Sequence, residues 1–389
     1  MKVFKKLLGP TAVCLVAGVA CTTQPPAATG PAAPKITSFA AVGSPLVSPN
    51  MVPLAWKVSD ANGDDLTCRL DVEDDGTWDL TIGNCDAVGG AGSRLVAAGV
   101  GGHTARLQVS DTTHITTAST SFVVEPESTS EGFDIELRPL EPLEPDEQSA
   151  FDAAVSTWES AVVRGVPDDV VTLDPGQCLD SEPGGTLSVD DLVLTVEITP
   201  IDGAGGTLGQ AGPCVVSSAD HLSRVGVMQF DSADVSDMLA DGTFAAVVMH
   251  EIGHVLGIGT VWNYGRSLLN GASTSNPQYD GAWAMAEFSA LGGTAAQVPV
   301  ENTGGGGTVD SHWREATFAN ELMTGWISPA SNPLSAMTIS SLADLGYAVD
   351  RSVADPYTLP GGAGVMAPGR PAHGSVDTSR MGRPPITVQ

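Results

Sequence analysis

Two histidines and a glutamate lie close together in the segment HEIGHVLGIGTVW, residues 250–262. His250 and His254 are four residues apart, so on a helix both rings project from the same face, one turn from each other. Two imidazoles placed in this way can bind one zinc ion. Glu251 lies about 100° further round the helix, where its carboxylate can reach a water on the metal. The motif therefore predicts hydrolytic zinc chemistry.

Chance rarely produces this motif in a chain of such composition. With seven histidines and 46 acidic residues among 389, the expected number of His-acid-x-x-His occurrences is roughly 0.015. The surrounding sequence FAAVVMHEIGHVLG is almost continuously apolar, which predicts a buried helix. The alternative interpretation is a buried core helix with two hydrogen-bonded histidines.

The motif alone leaves a zinc ion one ligand short. A catalytic zinc usually has three protein ligands and one open position. Metzincin peptidases continue the motif as HExxHxxGxxH, and Gly257 matches the glycine. Thr260, a poor zinc ligand, stands where the third histidine is expected. Three downstream residues can fill the gap: Glu287, in the helical pattern AWAMAEFSAL, His312, in GGGGTVDSHW, and His373, in a Gly- and Pro-rich tail that is a poor place for a fixed ligand.

The order of the motifs resembles that of the leishmanolysin-type metzincins, particularly their bacterial relatives. After the zinc motif come VPVENTGGGGTVDSHW, FANELMTG and NPLSAMTISSLADLGY, and the resemblance covers residues 132–350. It implies that an insertion separates Gly257 from the third ligand, which it places at His312. It also implies that Met323 forms the Met-turn, a methionine beneath the metal. Glu287 is then an ordinary helical residue.

The resemblance implies a zinc-dependent endopeptidase that hydrolyses protein or peptide substrates by a zinc-activated water, with Glu251 as general base. It also suggests that residues 203–212 and the strand-like residues 224–231 border the substrate cleft, where a peptide could add to a sheet edge. Gly325 stands where some metzincins have a tyrosine. The alternative is a cell-surface binding or adhesion protein with a non-catalytic zinc site. Glu251 argues against it, because a structural site has no use for a base.

The elements that must position these residues fall into two units. Short β-rich runs separated by Asp, Gly and Asn turns predict an immunoglobulin-like β-sandwich over residues 35–126, where LAWKVSDANGDDLTC resembles PKD-like modules. Strand-like runs, a helix ending near Gly165 and the motif helix predict an α+β domain over residues 127–350, and the resemblance implies that this domain is of metzincin type. Residues 351–389, rich in Pro and Gly, are predicted to be a disordered tail.

Composition excludes several classes of partner. The 389 residues are enough for two globular units, and 42% are hydrophobic. With 46 acidic against 17 basic residues, the net charge of −29 argues against a nucleic-acid partner. Beyond the N-terminus no stretch is long and apolar enough to span a bilayer. We expect a monomer that meets a membrane only through an N-terminal lipid anchor.

The N-terminal sequence MKVFKKLLGPTAVCLVAGVAC has lysines ahead of a short apolar run that ends in small residues. This pattern is typical of an export signal, which we assign to residues 1–20. GVAC resembles a bacterial lipobox, which implies a lipid on Cys21 and a flexible tether over residues 21–34. The protein is therefore expected outside the cytoplasm, as a membrane-anchored lipoprotein or in secreted form.

The remaining cysteines bear on the same question. If Cys21 carries a lipid, four cysteines are left in the mature chain. In an oxidising compartment we expect disulfides, each stabilising the fold by about 3–4 kcal/mol. Four cysteines allow three connectivities, and buried free thiols are the alternative. The local pairing joins Cys68 to Cys85 and Cys178 to Cys214.

Overall fold

The computed structural model describes residues 32–42, 51–85, 90–124, 132–295, 297–360 and 386–388. An all-β N-terminal region precedes a region of mixed sheets and helices, which agrees in outline with the fold class predicted from the sequence. The predicted export signal and the predicted lipid-bearing Cys21 lie outside the described residues. Among the helices that are described, none is long and apolar enough to span a membrane.

The N-terminal region consists of two antiparallel sheets around one core. Its strands are β1 (Lys35–Ala41), β2 (Met51–Ser59), β3 (Thr67–Asp71), β4 (Leu80–Gly83), β5 (Ala91–Ala97), β6 (Gly101–Ser110) and β7 (Ile115–Val124). The sheet orders are β1-β2-β5 and β4-β3-β6-β7. Successive side chains of a strand point to opposite faces. Alternate residues of β2 and β6, among them Leu54, Trp56, Leu107 and Val109, are therefore buried in a common core.

The second region is built around a five-stranded sheet with helices packed against it. It comprises β8 (Ile135–Pro139), α1 (Pro145–Ala161), β9 (Asp169–Leu173), β10 (Gly185–Val189), β11 (Leu192–Thr199), β12 (Gly209–Ser217), β13 (Ser223–Asp231), α2 (Val235–Asp241), α3 (Phe244–Leu256), β14 (Leu269–Asn270), β15 (Gln278–Tyr279), α4 (Ala282–Ala290), β16 (Val298–Pro299), α5 (Glu315–Phe318), α6 (Ala336–Leu345), a 3-10 helix (Arg351–Val353) and β17 (Ile386–Val388). The large sheet has the order β17-β12-β13-β11-β8, in which β12 runs antiparallel to β13 and the other neighbours are parallel.

Helices α1 and α3 cover this sheet through aromatic contacts. Phe151 of α1 meets Phe230 of β13 and Phe244 of α3 edge to face, with ring centroids 5.5 and 5.9 Å away. The indole of Trp158 donates a hydrogen bond to the carbonyl of Met249. Helix α1 ends at Ala161, before Gly165, because the next residue leaves the helical conformation and pairs with residue 349.

Both local disulfide pairings expected from the sequence are present. Cys68–Cys85 closes a 17-residue separation within the N-terminal region. Cys178–Cys214 closes a 36-residue separation and ties the segment after β9 to strand β12. Disulfides of this kind persist in oxidising compartments, so the pair fits an extracellular location.

The sequence-based assignment starts the disordered tail at residue 351, which is too early. Residues 351–360 are ordered, because their apolar side chains pack against the core of the second region. The hydroxyl of Tyr357 donates to the carbonyl of Phe318, and the Asp355 carboxylate accepts the N–H of Leu334. Strand β17 also pairs with β12 at residues 215–217.

The two regions touch at helix α4. Trp283 of that helix is 8% exposed and belongs to the buried cluster of the N-terminal region. The guanidinium of Arg351 lies over the Trp283 ring, 5.6 Å from its centroid. Arg351 also forms an ion pair with Glu287, at 2.8 Å. The N-terminal region is thus packed against the segment that follows α3.

Candidate active site

Helix α3 holds both histidines of the motif in the interior of the protein. Its residues are apolar on nearly every side, as suits a helix covered by a sheet and by α1. His250, Glu251 and His254 are all 0% exposed. The two histidine rings lie one turn apart with centroids separated by 4.6 Å. The four-residue spacing therefore places both rings on one face, as the sequence predicts.

The end of α3 fixes one of these rings. Gly257 terminates the helix with φ +117°, in the left-handed region that favours glycine. The turn brings the carbonyl of Ile258 back towards the helix, where it lies 2.8 Å from His254 Nδ1. The Thr260 hydroxyl donates to the backbone carbonyl of His254. Thr260 thus stabilises the turn through its hydroxyl, and this contact does not direct the hydroxyl to a metal.

The chain after Gly257 leaves the site and returns next to its starting point. Gly259 has φ +77°, and a Cβ on it would be 1.9 Å from the carbonyl oxygen of Ser311. The two ends of the intervening segment therefore meet backbone to backbone, and a side chain at position 259 would force them apart. Since Ser311 precedes His312, this contact sets where the next histidine enters.

Backbone hydrogen bonds hold His312 on both sides. Its carbonyl accepts the N–H of Glu301, and the N–H of Trp313 donates to the carbonyl of Met323. Trp313 is fully buried and stacks on Trp262, with ring centroids 5.0 Å apart. The third histidine therefore lies on an extended segment between two neighbouring loops.

The three histidines converge on one point. The distances between their Nε2 atoms are 2.9 Å for His250–His254, 3.1 Å for His250–His312 and 3.0 Å for His254–His312. Their donor atoms form a group that could hold a metal ion. Glu287, the other candidate third ligand, is not in this group and pairs with Arg351.

Hydrogen bonds at the opposite ring nitrogens determine the tautomers. Nδ1 of His250 lies 2.7 Å from the carbonyl of Leu322, and Nδ1 of His312 lies 3.0 Å from that of Thr308. His254 faces Ile258 in the same way. A carbonyl oxygen can only accept, so each Nδ1 carries the proton and each neutral ring presents a lone pair at Nε2.

Burial keeps all three rings neutral. It lowers the pKa of His250 to about 4 and that of His312 to about 3, and lowers the pKa of His254 well below its ordinary value. Three lone pairs therefore face one another without a proton between them, an arrangement that a cation stabilises. Nitrogens around a tetrahedral zinc at its usual distance of ~2.0–2.1 Å are about 3.3 Å apart. The observed spacing lies within a few tenths of an ångström of that value, so the donor set fits zinc.

Glu251 lies against the start of strand β12. A Cβ on Gly209 would come within 2.8 Å of Glu251 Oε1 and 3.3 Å of its Cδ. Only a glycine at this position leaves the carboxylate its present place. Residues 203–212, predicted to border the cleft, thus reach the glutamate at Gly209.

Met323 packs directly beneath the motif helix. It is fully buried, and a Cβ on Gly253 would be 2.7 Å from its sulfur. Since Gly253 lies between the two motif histidines, the methionine supports the turn that carries them. At Gly325 a Cβ would meet the side chain of Thr308 at 2.3 Å. No tyrosine side chain fits there without displacing the loop that precedes His312.

Sequence reasoning missed the glycines that make this site possible. Gly259 and Gly209 were not identified, although the GIG triplet at the end of the motif and the Gly-rich run before β12 are visible signals. It also missed Glu321, a fully buried carboxylate two residues before Met323. No pattern in the sequence distinguishes this acid from exposed ones.

Taken together, these side chains have the donor set of a zinc-dependent hydrolase. Residues 180–364 match the family model of leishmanolysin. A leishmanolysin homolog of Crithidia fasciculata is 30% identical over 169 residues, which are 41% of this chain and 25% of that protein. Leishmanolysin of Leishmania donovani is 30% identical over 171 residues, 41% of this chain and 28% of that protein. The chain is leishmanolysin-like here, as its ordered motifs predict.

These matches cover only part of each relative, so they do not carry the activity of the whole relative over to this chain. The chain spans about a quarter of the length of the curated relatives that it matches. Among solved structures, the PKD domain of human VPS10 domain-containing receptor SorCS2 is 16% identical, with a TM-score of 0.20, covering 32% of this chain and 98% of that one. A titin structure, A168169, has a TM-score of 0.19 at 12% identity over 28% of this chain and 59% of that one. Likenesses this weak carry no argument about fold.

Replacing Gly259 by alanine tests whether the contact with Ser311 positions the third histidine. Gly305 is a matched control, since its φ is +95° and nothing lies within 4 Å of an added Cβ. Gly305→Ala should lose about 1 kcal/mol of unfolding free energy from backbone strain alone. Gly259→Ala should lose at least about twice as much and bind zinc more weakly. Chemical denaturation and zinc titration measure both, and equal losses with equal zinc affinity would contradict the positioning role.

Proposed function

We propose that the protein is a zinc-dependent endopeptidase whose metal ligands are His250, His254 and His312. The observation that carries the proposal is the convergence of three neutral, buried Nε2 lone pairs on one point, with the equally buried Glu251 next to the first of these histidines in the motif helix. The leishmanolysin-like sequence supports the same assignment. A structural zinc site is normally closed by four protein ligands, whereas three ligands leave a position open.

Each residue has a definite part in the proposed reaction. Bound zinc would supply a Lewis acid that polarises the scissile carbonyl and acidifies water. Glu251 would accept the proton of the attacking water and later return it to the departing amine. The carbonyls of Leu322, Ile258 and Thr308 hold the three rings in the tautomer that leaves Nε2 free. Burial of the site strengthens these electrostatic interactions by excluding water.

The substrate would lie along strand β12. One edge of this strand pairs with β13, and on the other edge the described partner, β17, reaches only residues 215–217. Residues 209–213, of which 209–212 are buried, are the part of this edge that we propose pairs with an extended peptide. Because Gly209 touches Glu251, a peptide added there would pass beside the proposed base. This supports a peptide substrate rather than a small molecule.

The setting of the proposed enzyme follows from its chemistry and charge. The two disulfides support action outside the cytoplasm. We propose that the chain is exported by residues 1–20 and anchored through Cys21, or secreted. We further propose that it acts as a monomer with Met323 as its Met-turn, and that its strong negative charge keeps it from nucleic acids.

Zinc analysis of two alanine variants tests the ligand set. We expect about one zinc ion per wild-type chain. His312→Ala should lose most of its zinc on dialysis, because only two histidine ligands remain. Glu287→Ala is the control, because Glu287 pairs with Arg351 and should leave the zinc content unchanged. Full zinc retention in His312→Ala, or loss in Glu287→Ala, would reject the proposed ligands.

A second variant separates the base from the ligands. Glu251→Gln should keep the zinc content and lower kcat/KM on a peptide library by roughly 10²–10⁴-fold, because the amide cannot accept the proton of the attacking water. Glu287→Gln makes the same change of charge away from the histidines and should retain activity. Undiminished cleavage by Glu251→Gln would exclude its role as base. A zinc-loaded wild type that cleaves nothing in the library would favour the binding protein instead.

The glycine at the start of β12 gives an independent test of the cleft. Gly209→Ala places a methyl group 2.8 Å from Glu251 Oε1 and should displace the carboxylate, with a loss of up to about 100-fold in kcat. Gly212→Ala is the matched control in the same strand, since its nearest contact is Thr260 Cγ2 at 3.7 Å. Zinc content should be unchanged in both variants. Equal kcat values for the two variants would show that Gly209 does not protect the base.

A further inference from the structure

Glu321 is a carboxylate with no exposed surface, close to the metal-binding face but outside the ligand set. Its Oε2 accepts the backbone N–H of Met323 at 2.7 Å. Its Oε1 accepts the hydroxyl and the N–H of Ser335, at 2.6 and 3.2 Å, and the hydroxyl of Thr338. No lysine or arginine pairs with it in the part of the chain that the structure describes. Such an ion is costly to bury, so its retention calls for a reason.

The peptide group between Leu322 and Met323 connects Glu321 to a proposed ligand. The N–H of this group donates to Glu321, and its carbonyl accepts the Nδ1 proton of His250 at 2.7 Å. One rigid peptide plane thus carries a hydrogen bond at each end. A carboxylate at the N–H end makes the carbonyl a stronger acceptor, because hydrogen bonds in a chain polarise one another.

A second path leads from the same carboxylate towards His312. The Thr338 hydroxyl that donates to Glu321 also accepts the indole N–H of Trp313 at 2.8 Å. Trp313 follows His312 directly, and its own backbone N–H bonds the carbonyl of Met323. Glu321 therefore holds together the Met323 loop, the start of α6 and the segment of the third histidine.

From this geometry we infer that Glu321 is a positioning residue for the zinc site, acting on His250 through the Leu322–Met323 peptide. The inference rests on the proposed function, because it concerns the same three histidines. Carboxylates that hydrogen-bond a zinc-ligating histidine directly orient its ring and raise its basicity. Here the peptide group stands between the two, so the carboxylate acts at one remove.

The surroundings favour the ionised form of Glu321. Burial raises its pKa. All four neighbours are donors, however: two backbone N–H groups, and two hydroxyls that already accept a hydrogen bond from another group. A carboxylic proton would therefore have to displace one of these donors from Glu321. Glutamine has one accepting oxygen, so in Glu321→Gln the amide that keeps the Ser335 and Thr338 bonds turns its NH2 towards the N–H of Met323.

Metal binding by the full chain tests the inference. We expect Glu321→Gln to raise the Kd for Zn²⁺ by about 10- to 100-fold and to change the visible absorption of the Co²⁺-loaded protein, since ring orientation and basicity both change. Asp344→Asn is the matched control on α6. Its carboxylate also accepts hydrogen bonds from the N–H groups of Trp283 and Ala284 and from the hydroxyl of Tyr279, and in the described part of the chain none of these groups bonds to a histidine ring. It should leave the Kd and the Co²⁺ spectrum unchanged even if thermal stability falls.

The outcomes separate this inference from the proposed function. A wild type that binds neither Zn²⁺ nor Co²⁺ overturns the proposed function. A wild type that binds both, with the Kd and spectrum of Glu321→Gln equal to those of wild type, overturns the role of Glu321 alone. Equal changes in Glu321→Gln and Asp344→Asn also overturn it, because general destabilisation would then account for them.

A measurement on the wild type serves if Glu321→Gln does not fold. Metal on Nε2 makes the Nδ1 proton of His250 a stronger donor, which polarises the Leu322–Met323 peptide towards Glu321. The amide proton of Met323 should therefore shift downfield in the NMR spectrum when Zn²⁺ is added, and that of Ala284 should not. An unmoved Met323 signal in the zinc-loaded protein rejects the connection.

Discussion

The site depends on one constraint: three neutral imidazoles must be held with their Nε2 lone pairs about 3 Å apart. Without an ion between them these lone pairs repel one another, so the rings need other contacts to keep their orientation. Each ring obtains one at Nδ1, from a carbonyl of a different segment: Ile258 after α3, Thr308 before His312, and Leu322 before Met323. The orientation of the three rings therefore depends on the positions of three loops.

Carboxylates provide much of the order in these loops. One oxygen of Glu301 accepts the N–H groups of Asn302 and Thr303, and the other accepts that of Glu315. Glu301 thereby fixes the start of the loop that contains the glycine run 304–307. Glu321 likewise accepts the N–H groups of Met323 and Ser335. Loops carry backbone N–H groups that no sheet or helix satisfies, and a buried acceptor must take them. This use accounts for part of the excess of 46 acidic over 17 basic residues.

The sequence predicted what is periodic and missed what depends on close approach. Helix α3 and its paired histidines follow from a four-residue spacing in an apolar run, and the strands around it follow from β-rich composition. Spacing alone left Glu287 and His312 open as third ligands, and only the resemblance chose between them. The backbone contact between Gly259 and Ser311, which lies next to His312, joins residues far apart in the chain. The predicted tail begins too early in the chain, because single residues such as Tyr357 pack against the fold in a stretch that has no periodic pattern.

The long segment between Gly257 and His312 brings the third histidine back to the other two because its ends are fixed independently of its middle. Loop-closure entropy grows only slowly with length, so the number of inserted residues matters less than the contacts at the point of return. The middle has anchors of its own, since Asp344 of α6 caps the first N–H groups of α4 and Trp283 packs in the N-terminal core. The N-terminal region therefore meets the histidines only through intervening elements such as α4 and α6, whereas Gly259 contacts the residue next to His312 directly.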